Sequence, residues 1–350
     1  MLGDPDRRLC EARDPCHGRI DTSGRASAAG DAVTTRWALA GAVATLSALA
    51  LLVAVGAWVI PTTMLLGPFA RLLDAPAPIF LGVALALALA TAALGPRRLG
   101  LALAILSIST GLVGLQGYFA VTAPPVAGEA RDLRILFFNA EYPEAEAQDR
   151  LVDAILAADA DIVVLAETEL SGPARAGLDA AYPFVSPCLP EVCDMLIASR
   201  RPVLRFWRLQ LNAAWPDRYA VAEVELASGA PLFVSAVHLV KPWFSGIAES
   251  EIGRLTAQYA WFDGPAVAVG DYNMTPWSRP MRRLLATTGF RAVRGQVGTW
   301  PAEAPMGRFP IDQVLVREGV RVTTIETFGR ELGSNHLGLV AELSVAAPTR

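Results

Sequence analysis

The chain has 350 residues, an apolar fraction of 53% and only 18% charged residues, with 30 Lys and Arg against 34 Asp and Glu. It is too apolar for an ordinary soluble domain and long enough for two units. Residues 124–350 carry 21 Lys and Arg against 27 acids, and that acidic balance argues against non-specific clamping of duplex nucleic acid, which draws its affinity from a basic face.

Residues 1–35, rich in Arg, Asp, Gly and Ser, are too polar and too long to be the start of a signal peptide and read as a disordered cytoplasmic tail. Residues 36–123 form a membrane region. Its apolar stretches at about Trp37–Ile60, Ala77–Leu94 and Leu99–Val121 approach or exceed the ~20 helical residues that cross a hydrocarbon core. Arg7, Arg8, Arg13, Arg19, Arg25 and Arg36 precede the first span, and Arg97 and Arg98 lie between the second and third. The positive-inside rule puts both places in the cytoplasm. Three transmembrane helices then carry everything after about Pro124 to the periplasmic or extracytoplasmic side of the inner membrane. No ionisable residue interrupts a span, so nothing marks an ion path of the kind a transporter needs.

A linker over residues 124–131 leads into the unit at 132–350. Short apolar runs bounded by turn residues predict strands at Leu133–Asn139, Ile162–Glu167, Met195–Ser199, Tyr219–Leu226, Leu232–His238, Ala266–Gly270, Gln313–Val316, Val320–Phe328 and Leu339–Leu343. Helical spacing predicts Gln148–Ala157, Ile247–Trp261 and Arg279–Thr287. The fold class is α+β, a layered domain. Cys188 and Cys193, five apart in a loop-like run, are either a disulfide suited to an oxidising compartment or two buried thiols. The arginines 279, 282, 283, 291 and 294 read as a solvated helix face or as a site lining. The aromatics of Lys241-Pro242-Trp243-Phe244 and of Trp300 either meet substrate or bilayer or pack onto the sheet edge.

Several strands end on a polar residue where an apolar or turn residue would serve. These segments are Asn139-Ala140-Glu141, Glu167-Thr168, His238-Leu239, Gly270-Asp271-Tyr272-Asn273, Ile311-Asp312 and Ser334-Asn335-His336. Strand ends that share one rim make a polar site on a rigid scaffold. Carboxylate and amide oxygens suit a hard cation, Mg²⁺ or Mn²⁺, and a His paired with an acid suits proton transfer.

In this order the segments resemble the endonuclease/exonuclease/phosphatase superfamily over about residues 132–345. The resemblance implies a DNase I-like four-layer α/β/β/α sandwich, here preceded by three transmembrane helices as in bacterial integral-membrane members. It implies metal-dependent hydrolysis of a phosphoester, whether lipid head group, small phosphoester or nucleic acid. By the same resemblance Asn139, Glu167 and Asn335 are the metal residues, and His238, Asp271, Asn273, Asp312 and His336 are catalytic, with Asp312 orienting His336. Nothing in the sequence points to a protein partner. Two positions depart from the family pattern: Ala166 stands where Gln usually precedes the metal Glu, and Asn335 stands where the terminal motif usually has Asp. The second removes a negative charge beside the cation. Weaker metal binding and slower turnover are expected, and a membrane-bound binding protein of the same fold is the alternative.

Overall fold

The computed structural model describes residues 22–61, 64–189 and 192–346. Of the tail expected to be disordered over residues 1–35, residues 1–21, with Arg7, Arg8, Arg13, Arg19, Cys10 and Cys16, lie outside the described residues, whereas residues 22–35 are helical and continuous with the first apolar stretch. The N-terminal third is α1 (Thr22–Val59), α2 (Gly67–Asp74), α3 (Ala77–Leu94) and α4 (Arg97–Val121). Among the described residues, three helices are long and apolar enough to cross a membrane: Val33–Val59 within α1, then α3 and α4. Their packing inverts that of a water-soluble bundle. Small residues such as Ala40, Ala54, Ala84 and Ala88 are buried between helices, while Leu39, Leu52, Ile105 and Val113 are exposed, the arrangement expected where lipid is the solvent. Ser47 Oγ donates to the Ala84 carbonyl at 2.8 Å. At the end of the bundle away from residues 132–346, Arg36 Nε donates to the Leu94 carbonyl at 2.6 Å, so Arg36 and the α3–α4 turn with Arg97 and Arg98 share one end of the bundle.

The last of these helices does not end in a free tether. Its continuation β1 (Thr122–Ala123) pairs in parallel with β10 (Arg291–Val293). The segment expected as a linker is then pinned where Val126 N–H donates to the Val322 carbonyl at 2.9 Å and where Glu129 pairs with Arg321.

The remaining elements are β2 (Leu133–Asn139), α5 (Ala145–Ala157), β3 (Ile162–Ala166), α6 (Gly172–Ala181), β4 (Phe184–Val185), β5 (Met195–Ser199), β6 (Val203–Arg208) and β7 (Tyr219–Glu225). They continue with β8 (Pro231–His238), α7 (Ile247–Tyr259), β9 (Ala266–Asp271), α8 (Arg279–Thr288), β11 (Asp312–Arg317), β12 (Val320–Phe328) and β13 (Gly338–Val345). One sheet runs β1-β10-β11-β9-β8-β7-β6 and the other β12-β13-β2-β3-β5-β4. Their inner faces share one core of residues such as Ile135, Phe137, Val164, Val234, Val269 and Leu339. Tyr259, Leu284 and Leu285 pack α7 and α8 on the outside of the first sheet. Leu151, Ile155 and Leu178 pack α5 and α6 on the outside of the second. The result is the expected four-layer α/β/β/α order, in which each fully buried Val, Leu, Ile or Phe contributes about 1.5–3 kcal/mol.

The strands that escaped prediction are edge or very short ones. β6 lies at a sheet edge with Arg205 and Arg208 in its run, and β1, β4 and β10 have two or three residues. The helices α2 and α6 each begin with Gly-Pro, which reads as a turn, although proline is well placed in a first helical turn.

One glycine is required by packing. A Cβ at Gly270 would stand 1.9 Å from the Val237 carbonyl oxygen of the neighbouring strand, and backbone cannot give way cheaply. Gly270→Ala is expected to destabilise the protein by about 1–3 kcal/mol, which a denaturation midpoint would register; an unchanged midpoint would mean β8 and β9 are further apart than described.

Candidate active site

The polar strand ends meet because the apolar stripes of both sheets run into them. Side chains alternate along a strand, so residues two apart share a face. On β2 the inward stripe Leu133, Ile135, Phe137 reaches Asn139, on β8 Leu232, Val234, Ala236 reaches His238, and on β9 Val267 and Val269 reach Asp271. On β11 the stripe of Val316 and Val314 arrives at Asp312 from the other direction. Register then aligns three of them, since His238 is opposite Asp271 and Asp271 is opposite Asp312.

Glu167 breaks this pattern. It follows Ala166, which faces the inner core, so strict alternation would turn it away. Its φ of 50° puts the backbone in the left-handed region, and its Oε1 lies 3.4 Å from His238 Nε2. Glu141, Tyr142 and Asn273 share that strained conformation, with φ of 53°, 50° and 49°. Such clustering at one rim is typical of functional sites.

Two histidine–aspartate pairs face each other. His336 Nδ1 lies 3.1 and 3.0 Å from the two Asp312 oxygens, and His238 Nδ1 lies 3.0 Å from Asp194 Oδ2. Each acid thereby holds its imidazole with Nε2 pointing inward, and both Nε2 atoms lie 3.8 Å from the same Asp271 Oδ2. Asn139 Nδ2 donates to that oxygen at 3.3 Å, and the Asn273 backbone N–H donates to Asp271 Oδ1 at 2.8 Å. Asn273 Nδ2 is turned to the Leu239 carbonyl at 2.8 Å, which fixes the loop after β8.

Burial, followed by the charge of Asp312, raises the Asp271 carboxyl against the opposing pull of His336 and His238. For His336 burial works against the charged form, but Asp312, Asp271 and Glu167 outweigh it and push the imidazole up to about 9. Burial also raises Asp194, but His238, Arg218 and Tyr142 outweigh it and hold that carboxyl below its usual range.

Asn335 is bound to a residue that sequence reasoning did not single out. Its backbone N–H and its Nδ2 donate to the two oxygens of Glu141 at 2.9 and 2.6 Å, while its Oδ1 is buried with no hydrogen-bond partner. Ser334 Oγ ties the same turn to the Asn139 carbonyl at 2.7 Å. The negative charge that Asp would bring to position 335 is thus carried next door by Glu141.

Asp194 was missed because it precedes its strand by one residue; so does Arg218, whose Nε lies 3.6 Å from Asp194 Oδ2. Tyr142, whose hydroxyl donates to Asp194 Oδ1 at 2.6 Å, belongs to a loop. The usable signal was pairing: Ala166 is opposite Met195, which brings Glu167 and Asp194 to one rim. Cys188 and Cys193 are disulfide-bonded.

The residues fit a divalent cation. Asp271, Asp312 and His336 offer ligand atoms within 4.8 Å of one another, two of these are buried acids, and the orphaned Asn335 Oδ1 is an acceptor without a donor. Buried carboxylates this close are relieved by a positive ion.

The pattern of the Endonuclease/Exonuclease/phosphatase family matches residues 136–336. The chain belongs to that family. Its members are metal-dependent phosphoester hydrolases. Among solved structures, an endonuclease/exonuclease/phosphatase from Beutenbergia cavernae is similar at a TM-score of 0.50 and 21% identity, covering 62% of this chain and 72% of that one. D. rerio TDP2 complexed with single strand DNA product is similar at a TM-score of 0.50 and 17% identity, covering 61% of this chain and 99% of that one. At these identities the likeness concerns the fold. No curated protein matches the chain.

The arginine group found another use. Arg279 Nη2 donates to the Ile60 carbonyl at 2.5 Å, Arg291 Nη1 to Ala120 at 2.6 Å and Arg294 Nη2 to Thr122 at 3.0 Å. These carbonyls end α1 and α4, where cations are favoured. Arg279, Arg291 and Arg294 are therefore neither a plain solvated face nor a lining of the site, while Arg283 remains exposed. Of the expected aromatics, Trp243 is half exposed under Lys241, and Phe244 packs on Trp215 with centroids 4.8 Å apart.

Proposed function

We propose that this chain is a membrane-anchored, divalent-metal-dependent phosphoester hydrolase whose catalytic domain lies on the non-cytoplasmic side. The observation that carries the reading is the convergence of two acid-held imidazoles on one buried carboxylate, with both Nε2 atoms 3.8 Å from Asp271 Oδ2. A purely structural His–Asp pair has no need of a second one facing it.

Asn139, Glu167 and Asn335 would hold the cation, Mg²⁺ or Mn²⁺, beside the buried Asp271–Asp312–His336 cluster, whose acidic charge it would offset, with Glu141 adding charge. When bound, the cation supplies neutralisation of phosphoryl and leaving-group oxygens. Asp271 aligns the attacking water and takes its proton, and the hydrogen bond from Asn273 N–H at 2.8 Å keeps that carboxylate in one orientation. His336 and His238, each fixed through Nδ1, donate from Nε2 to phosphoryl oxygens whose charge grows at the pentacovalent centre. Attack in line with the leaving oxygen breaks its bond to phosphorus, and the product is a phosphate with one ester bond fewer. Arg36, Arg97 and Arg98 at the far end of the spans and the Cys188–Cys193 disulfide support the non-cytoplasmic placement.

The test is hydrolysis by the full chain of bis(p-nitrophenyl) phosphate, supercoiled plasmid and a choline phospholipid. At least one substrate should turn over with Mg²⁺ or Mn²⁺, fall to background with EDTA and recover when the ion is returned. Silence on all three with either ion would sink the hydrolase reading. One observation favours a second reading, a binding protein of the same fold: Asn335 replaces the usual acid.

A further inference from the structure

α2 is built inside out. Its buried stripe is Gly67, Ala70, Arg71 and Asp74, at helical spacing, so both charges face the protein. Its other side, with the turn before it, leaves Leu65 92%, Leu66 55%, Phe69 63% and Leu72 48% exposed. In water such a helix would turn over. α2 lies between Val33–Val59 and Ala77–Leu94, two of the helices long enough to cross a membrane, so the layer it meets is where hydrocarbon gives way to head groups. Apolar groups on that side are favoured and exposed charges are not.

The inner face of α2 grips the catalytic unit at the rim of its site. Arg71 Nη2 donates to Glu249 Oε1 at 2.5 Å and to Ser245 Oγ at 3.2 Å. Asp74 Oδ2 accepts the Arg279 backbone N–H at 2.8 Å, and the Ala75 carbonyl accepts Trp277 Nε1 at 2.9 Å. Ser245 and Glu249 are at the start of α7, and Trp277 and Arg279 at the start of α8. These starts follow the strand ends that carry His238 and Asp271, at the catalytic end of the sheet. Chain length limits the separation: Ser245 is seven residues after His238 and Trp277 six after Asp271, at most roughly 20–25 Å fully extended.

We propose that α2 lies in the head-group layer with its apolar face in lipid, and that its inner face holds the catalytic rim against the bilayer surface, so that the phosphoester taken is one carried by a lipid head group. This substrate class rests on the hydrolase reading above. The placement of α2 does not.

Two measurements on the full chain in phosphatidylcholine nanodiscs decide it. With Cys10→Ser and Cys16→Ser as background, nitroxides at Leu65→Cys and Phe69→Cys should collide freely with oxygen and poorly with an aqueous nickel chelate. A nitroxide at Trp261→Cys, on a residue 80% exposed, should show the reverse. Free access of the chelate to positions 65 and 69, or shielding from both reagents as a second copy of the chain would give, overturns the placement. For the substrate class, Arg71→Ala should lower hydrolysis of the nanodisc phosphatidylcholine about tenfold and leave bis(p-nitrophenyl) phosphate within twofold. Equal losses on both, or turnover of the soluble ester with none of the lipid, overturns it. If neither ester is cleaved with any ion, the hydrolase reading fails while the nitroxide result still stands or falls by itself.

Discussion

His336→Ala should lower kcat by about 10²–10⁴, the range for a positioned proton donor or acceptor, with KM changed by no more than a few-fold. His336 is nine-tenths buried at the side chain and touches the site through Nε2 alone, 3.8 Å from Asp271 Oδ2, so its loss removes a transition-state contact and little of the substrate's ground-state binding. The main action of Asp312 on the reaction is through this imidazole, which it meets at 3.0 Å. Asp312→Ala combined with His336→Ala should therefore be scarcely slower than His336→Ala alone, because residues that work as a unit are not additive. Steady-state kinetics of the three variants decides the matter: activity retained within a few-fold in His336→Ala removes the residue from the mechanism, and fully additive losses remove Asp312 from its supporting role.

Asn335→Asp should make the fold more dependent on metal. In the parent, Asn335 Nδ2 donates to Glu141 Oε1 at 2.6 Å, and aspartate there would set two carboxylates face to face. At about 4 Å and an effective dielectric of 20 such repulsion approaches 4 kcal/mol, and partial exposure reduces it to about half. Without metal the variant should melt several degrees lower, at about 2–4 °C per kcal/mol for a domain of this size. With Mn²⁺ the melting temperature should rise further than the parent's, since an ion bound only by the folded state stabilises it according to its affinity. Glu141→Gln should do the opposite, shrinking the metal-induced rise as affinity falls about tenfold, near 1.4 kcal/mol. Thermal melts with EDTA and with Mn²⁺ test both; metal-induced shifts indistinguishable from the parent's would show that positions 141 and 335 do not face the ion.

How far the site could be read beforehand depended on where each residue stood relative to its strand. Asn139, His238, Asp271 and Asp312 continue the inward stripe of an apolar run at a spacing of two, and that is a local property of the chain. Glu167 was found as the last polar residue of such a run, although its inward turn comes from a left-handed backbone that spacing does not reveal. Asp194, Arg218, Tyr142 and Glu141 lie in loops or just before strands, and their role comes from partners 44, 24, 52 and 194 residues away. The arginines 279, 291 and 294 were visible as a group, but their acceptors are carbonyls at the ends of helices more than 170 residues earlier.

By itself the sequence determined the three long apolar helices, the alternation of buried strands with polar ends, and the order of those ends along the chain. Each follows from spacing within a few residues, at a period of two or of 3.6, or from an unbroken apolar length. Only the tertiary structure decided that two histidines would share one aspartate, that Glu141 would stand beside Asn335, and that α2 would turn its charges inward onto the starts of α7 and α8. Those arrangements depend on register between strands and on how the sheets and spans dock, which are set by contacts between distant segments and leave no period in the chain.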